Sequence, residues 1–307
     1  MNGVGRPRAV EVRAQAKINL RLRILARETS GYHQLETLYH RIELADVLRV
    51  RRTNASRSLD IVGAADRHTM GSTERNLAWR AAESYFAATG MAGGFAIELE
   101  KRIPVGGGLG GGSADAGAVL RAFDAMADVP IGESRRIQLA AALGSDVPFL
   151  ASEHAYALAW GRGERMMALE PPSARQLLLL LPAFAVNTAD AYGWLAAARD
   201  EQIAAPGAEA LMLHPPQIKR WDSIAHVAIN DFEAVVATRH SEIAALLAAQ
   251  RAAPWVELAM LSGSGSTVFA VIRDGAAGVM PEVQAGSGTS SVMTRTALRV
   301  EPPSPME

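Results

Sequence analysis

The chain has 307 residues, 49% of them hydrophobic, a length and apolar content that favour two packed domains over one compact unit. Lysine and arginine number 31 against 32 aspartates and glutamates, so the near-zero net charge gives no electrostatic footing for a nucleic acid or a membrane surface. With no cysteine, disulfides, thiolate nucleophiles and cysteine-bound zinc are excluded, in keeping with a reducing cytoplasm, where the protein is expected to reside. Residues 1–8 carry Arg6 and Arg8 without an apolar stretch behind them, so no secretory signal is expected. The longest apolar run, 177–186, is interrupted by Pro182 and is about half the ~20 residues of a membrane span; it reads as a buried strand.

Val10 and Val12, then Ile18, Leu20, Leu22 and Ile24, alternate with polar or small residues, which predicts half-buried strands at the start of the chain. Strands are expected again at 42–50 and 59–62, and a helix where Leu77, Ala78, Ala81, Ala82, Tyr85 and Phe86 recur at helical spacing. Phe95, Ile97 and Leu99 alternate once more. Residues 113–127 contain no proline, set Val119, Leu120 and Phe123 along one side and stop short of Pro130, predicting one helix; a shorter one follows over 134–143. The stretch 162–175, rich in Gly, Glu and Pro, marks a change of domain and divides the chain into an N-terminal unit, 1–165, and a C-terminal unit, 166–307. Beyond it, 177–181 reads as a strand, 188–198 and 233–251 as helices, and 256–261 and 266–272 as strands flanking a Gly-Ser turn. The last residues, 301–307, hold three prolines and are expected to form a mobile tail. No repeat of 20–50 residues is visible, so a solenoid is not expected.

Directly before the 113–127 helix lies Pro104-Val-Gly-Gly-Gly-Leu-Gly-Gly-Gly-Ser, with Gly106, Gly107, Gly108, Gly110, Gly111 and Gly112 occupying six of seven positions. Glycine accepts positive φ and lacks a Cβ, so the backbone can press its N–H groups against a ligand, while the helix start adds unpaired donors and a positive dipole end. The ligand suited to such a cradle is phosphate. Gly106, Gly108 and Gly111 also meet the dinucleotide pattern, but the strand with a ribose-binding acid is missing; no lysine follows the glycines as in a Walker A loop. A side chain placed at Gly108 or Gly110 is expected to fill the phosphate space and leave the fold intact.

This loop resembles the second motif of the GHMP kinases, the superfamily of galactokinase, homoserine kinase and mevalonate kinase. Ala16-Lys-Ile-Asn-Leu and Leu261-Ser-Gly-Ser-Gly-Ser-Thr-Val-Phe fall where the family has its other two motifs. Gly31-Tyr-His, Leu143-Gly-Ser-Asp-Val-Pro-Phe and Asn230-Asp-Phe-Glu are similar to the branch whose acceptor is a cytidyl diphosphate sugar alcohol of non-mevalonate isoprenoid synthesis. The sequence departs from the pattern at Gln15, where Pro or Ser is usual, at Gly117, where Ala is usual, and at Ala270, where Gly is usual.

The resemblance implies an α+β, two-domain fold with the active site in the inter-domain cleft, and transfer of the γ-phosphoryl group of ATP directly onto an alcohol. It implies Lys17 and Asp146 as the catalytic pair, and Pro104, the six glycines, Ser113, Asn76 and Lys101 as the nucleotide-binding set. Asn19, Tyr32, His33, Thr188 and Tyr192 become the substrate contacts. On the residues alone, Asp146 is equally a turn or capping residue, Lys17 and Lys101 solvated lysines, Asn76 a helix cap and Tyr192 a core aromatic. His40, His68 and His154 form no spacing suited to a metal site, so magnesium is expected to arrive with ATP, held by phosphate oxygens and water, with Ser113 as a candidate ligand. Three alternatives stay open: a homoserine-type kinase, a decarboxylase of the same superfamily, and a nucleotide sensor without catalysis.

Overall fold

A computed structural model describes residues 6–27, 33–63, 72–201, 218–276 and 288–307. Tyr32 and His68 lie outside these. The opening alternation extends into one long strand, β1 (Ala9–Arg27), paired antiparallel with β2 (His33–Thr53). Their register shifts between Gln15 and Lys17 and again between Asn19 and Arg21. Even-numbered residues from Val10 to Ile24 face the core, and the opposite face is covered in mid-strand, which buries the polar row Gln15, Lys17, Asn19 and Arg21. Buried polar groups at such a density need partners, and this row supplies one wall of the site described below.

β3 (Arg57–Gly63) runs parallel to β4 (Gly94–Lys101), which pairs antiparallel with β2, giving the order β1-β2-β4-β3 along the main path of the first sheet. Between them α1 (Leu77–Thr89) begins where the Asn76 side chain accepts the Ala78 amide and ends at Gly90, φ 66°. α2 (Gly111–Met126) is buried on nearly all sides, not along one stripe, and packs against α1 and β1. α3 (Gly132–Ala141) and the one-turn α4 (Val147–Ala151) follow.

The stretch 162–175, expected as a change of domain, holds the second half of a hairpin. β5 (Tyr156–Gly161) pairs with β2, and β6 (Arg165–Ala168) pairs with β5 through a turn with positive φ at Gly161 and Gly163. A second, antiparallel sheet begins at β7 (Gln176–Pro182). α5 (Thr188–Glu201), α6 (Trp221–Val227) and the short β8 (Ile229–Asn230), parallel to β1, lead to α7 (Glu233–Arg239) and α8 (Ser241–Ala252). The single helix expected over 233–251 is thus two. His240, at φ −125° and ψ 87°, leaves the helical region and stacks its ring on Phe184 at 4.8 Å.

β9 (Val256–Leu261), β10 (Val268–Ile272) and β11 (Thr289–Arg295) complete the second sheet in the order β11-β7-β10-β9. The C-terminal tail is paired: β12 (Ser304–Pro305) lies antiparallel on β1, and the Met306 amide donates to the Ala9 carbonyl at 3.0 Å. The long edge of β1 offers unpaired backbone groups at its start, which an extended, proline-rich segment satisfies without needing a donor from every residue. One apolar cluster joins the first sheet to α1 and α2 and includes Val12, Leu48, Phe95 and Phe123. Another gathers Leu180, Phe232, Leu247 and Val268, and takes in Leu22, Ile24 and Leu35 from β1 and β2. The residues between the two lie where the polar row of β1 meets the glycine loop.

Candidate active site

Gly106, Gly108 and Gly110 take φ of 77°, 77° and 72°, while Gly107 and Leu109 between them do not take positive φ. Alternation of this kind turns successive amides toward one concavity, an anion-binding nest, which here runs straight into the N-terminus of α2. The loop is held from behind by its carbonyls. Leu109 O accepts the Lys17 amide at 3.0 Å, Gly107 O the Thr267 amide at 3.3 Å, and Gly108 O the Ser262 hydroxyl at 3.0 Å. A Cβ on Gly108 would stand 2.1 Å from Ser262 O, so a side chain there collides with the 262–267 turn instead of only filling phosphate space. At Gly110 the obstruction is the flexible Lys17 chain, at 3.1 Å.

Register shifts bracket residues 17 to 19 on β1, and Lys17 points from this segment into the cleft. Lys17 is 3% exposed, which rules out a solvated strand lysine. Its Nζ donates to Asn19 Oδ1 at 2.7 Å and to Gly108 O at 3.0 Å, and stands 3.5 Å from Asp146 Oδ2. Asp146 occupies the N-cap position of α4, but its side chain makes no capping hydrogen bond, and it is 31% exposed to the cleft. The capping role left open by the sequence therefore does not apply. Its Oδ1 accepts instead from the Tyr39 hydroxyl at 2.7 Å. Burial and the Asp146 charge hold the Tyr39 phenol well above its ordinary pKa. Sequence reasoning passed over Tyr39, which sits among alternating β2 residues and belongs to none of the motifs.

Asn19 is fixed in turn: its amide donates to Thr37 Oγ1 at 2.8 Å, and that hydroxyl donates to the Arg21 carbonyl at 2.8 Å. On the far side, the His33 ring stacks on Tyr192, with centroids 4.3 Å apart and planes at 18°. Tyr192 meets Phe232 edge-on at 4.9 Å, and burial, with the Asp146 charge adding, pushes its hydroxyl up to about 12. Thr188 Oγ1 and Ser264 Oγ share a hydrogen bond of 2.9 Å. Asn230, quoted above within a motif but given no role, ties the 261–263 segment down through two 2.8 Å bonds to the Leu261 and Gly263 carbonyls.

Lys17, Asn19, Asp146, Pro104, the glycines, Ser113, Thr188 and Tyr192 line one cleft of about 470 Å³. Asn76 caps α1, and its neighbour Leu77 reaches the cleft. Lys101 is buried, not solvated: under the loop it pairs with Asp46 and, at 2.8 Å, with Asp115. Burial raises the pKa of the Asp115 carboxyl, with Lys101 opposing the rise and Asp46 reinforcing it. Among the described residues no group of three or more histidines, aspartates and glutamates is placed to hold a metal, and no helix is long and apolar enough to cross a membrane.

The profile of the GHMP kinases N terminal domain matches residues 76–154. Over 269 residues the chain is 36% identical to a 4-diphosphocytidyl-2-C-methyl-D-erythritol kinase from Desulfotalea psychrophila, covering 86% of each chain. A crystal structure of 4-(cytidine 5'-diphospho)-2C-methyl-D-erythritol kinase superposes with a TM-score of 0.71 at 31% identity, over 93% of this chain and 98% of that one. Homoserine kinase from Cytophaga hutchinsonii, 17% identical with a TM-score of 0.67 over 99% of both chains, shares the fold.

Proposed function

Because the chain belongs to the 4-diphosphocytidyl-2-C-methyl-D-erythritol kinases within the GHMP superfamily, we propose that Lys17 and Asp146 transfer the γ-phosphoryl group of ATP to the 2-hydroxyl of that cytidyl alcohol. The observation that carries the assignment is the pair itself: a buried ammonium 3.5 Å from a half-exposed carboxylate, directly over the glycine nest. The acceptor hydroxyl approaches Asp146, which takes or orients its proton as the oxygen attacks in line. Lys17 spends two of its protons on Asn19 and Gly108 and turns the third toward the reacting oxygens, where negative charge develops. The amides of the loop and the start of α2 hold the phosphate oxygens.

ATP brings magnesium, which neutralises phosphate charge; the Ser113 hydroxyl, in the first turn of α2 at the cleft, is the side chain suited to reach it. Lys101, paired with Asp46 and Asp115, supports the loop beneath the nucleotide, and Asn76 sets the start of α1 beside it. His33 and Tyr192, with Thr188 and Asn19 nearby, form the end that recognises the cytidyl group. In the same reading, residues 1–165, whose sheet β6 completes across that boundary, carry the ATP site and 166–307 close the substrate cleft.

ADP release measured with the cytidyl alcohol, homoserine, mevalonate and galactose tests the acceptor, and only the first is expected to support turnover. Asp146→Asn keeps the size and one hydrogen-bonding oxygen but removes the charge, so kcat is expected to fall by roughly 10²–10⁴ while both substrates still bind. A variant that keeps more than about a tenth of the parental kcat overturns the role of Asp146.

A further inference from the structure

A carboxylate that opens a one-turn helix without capping it has nothing in its own element to fix its rotation, yet Asp146 presents one oxygen to Lys17 and the other to Tyr39. The Tyr39 ring is 1% exposed, sits opposite Asn19 across β1 and β2, and stacks on Phe149 with centroids 4.7 Å apart and planes at 11°. Phenylalanine would fill this space equally well. A buried hydroxyl is costly unless bonded, and the bond this one makes is to Asp146 Oδ1. Two residues on, and on the same face of β2, Arg41 donates to the carbonyls of Phe149, Ser152 and His154 at 2.8, 3.1 and 2.9 Å, around the end of α4. One strand face thus clamps α4 at both ends, and the Tyr39 end terminates on the carboxylate.

We propose that Tyr39 is a positioning residue for phosphoryl transfer: its hydroxyl occupies Asp146 Oδ1 and leaves Oδ2 as the oxygen that meets the acceptor hydroxyl. The inference rests on Asp146 taking or orienting the hydroxyl proton. Lys17 stands too far from Oδ2, at 3.5 Å, to compete for it as a full hydrogen-bond donor. Among the described residues, the charged and titratable groups that face Asp146 are Lys17 from β1, Tyr39 from β2 and Tyr192 from α5. Both phenols are raised, Tyr192 to about 12 and Tyr39 well above its ordinary value, so each remains a neutral donor through the pH range of an assay. Without a donor on Oδ1 the carboxylate is free to turn about its Cβ–Cγ bond, and Oδ2 is no longer held toward the acceptor.

The test compares the parent, Tyr39→Phe and Asp146→Asn by kcat and by KM for each substrate, with the Asp146 carboxyl carbon followed by ¹³C NMR in the first two. For Tyr39→Phe, kcat is expected to fall about tenfold, with KM for ATP within about twofold of the parent. The Asp146 carboxyl resonance is expected to move, since the hydrogen bond on Oδ1 is lost. An unchanged kcat and an unmoved carboxyl resonance in Tyr39→Phe, with Asp146→Asn still losing at least ~100-fold, overturn the role of Tyr39 and leave that of Asp146 standing. An active Asp146→Asn enzyme removes both. The NMR signal does not depend on turnover, so a variant with little activity still decides the question.

Discussion

His33 and Tyr192 lie face to face at 4.3 Å, whereas a base inserted between two rings needs about 7 Å, twice the ~3.5 Å of van der Waals contact. On the proposed reading, the cytidyl group parts the two rings or replaces one ring's contact with its own. His33→Ala removes a base-edge hydrogen bond and a stacking face, so KM for the cytidyl alcohol is expected to rise about 10- to 100-fold, with KM for ATP within about twofold. Equal losses for both substrates in steady-state assays would assign His33 to structure. At this scale the motif residues were readable, but their alternatives were not. Lys17 and Asp146 each had a bland reading, and exposure of 3% for the one and an absent cap bond for the other removed it.

Gly117 stands where α2 crosses α4, and a Cβ there would lie 2.3 Å from the Leu150 carbonyl oxygen. The glycine that departs from the family pattern is thus what lets the helix behind the phosphate loop touch the backbone of the turn that begins at Asp146. Gly117→Ala gains about 1 kcal/mol in helix propensity but forces the two backbones apart. Overpacking of this kind costs typically 1–3 kcal/mol, so a Tm lower by a few degrees is expected, together with a reduced kcat as Asp146 shifts. An alanine variant with unchanged Tm and kcat would show that α4 can move freely. Periodicity located α1 and α2 well because each has a long run of one period, and β7 stood out as an unbroken apolar run. It missed α4, whose five residues hold less than two turns, and it fused α7 with α8 because His240 breaks the helix without a proline or glycine to announce it.

His40 is buried between Tyr156 and Trp221, its Nδ1 donating to the Arg41 carbonyl at 2.9 Å, and burial lowers its pKa to about 4. The unfolded chain takes up this proton near pH 6.5 while the folded one resists, so the stability from His40 is complete above about pH 6.5 and lost as pH falls toward 4. Between pH 7 and pH 5 the parent is expected to lose ~2 kcal/mol that His40→Phe does not, measured as the difference between their denaturation midpoints, in which other groups cancel. Equal pH dependence in both proteins would show that His40 already carries its proton in the fold. The sequence alone carried the glycine cradle and the family motifs, and through that resemblance the α+β class, because motifs rest on local order: which residues adjoin. It could not determine that β12 would close the edge of β1, that Lys101 would sit on two carboxylates, or that Tyr39 would reach Asp146. Those contacts join residues 14, 55, 107 and nearly 300 positions apart, and such pairings exist only once the sheets and helices have packed.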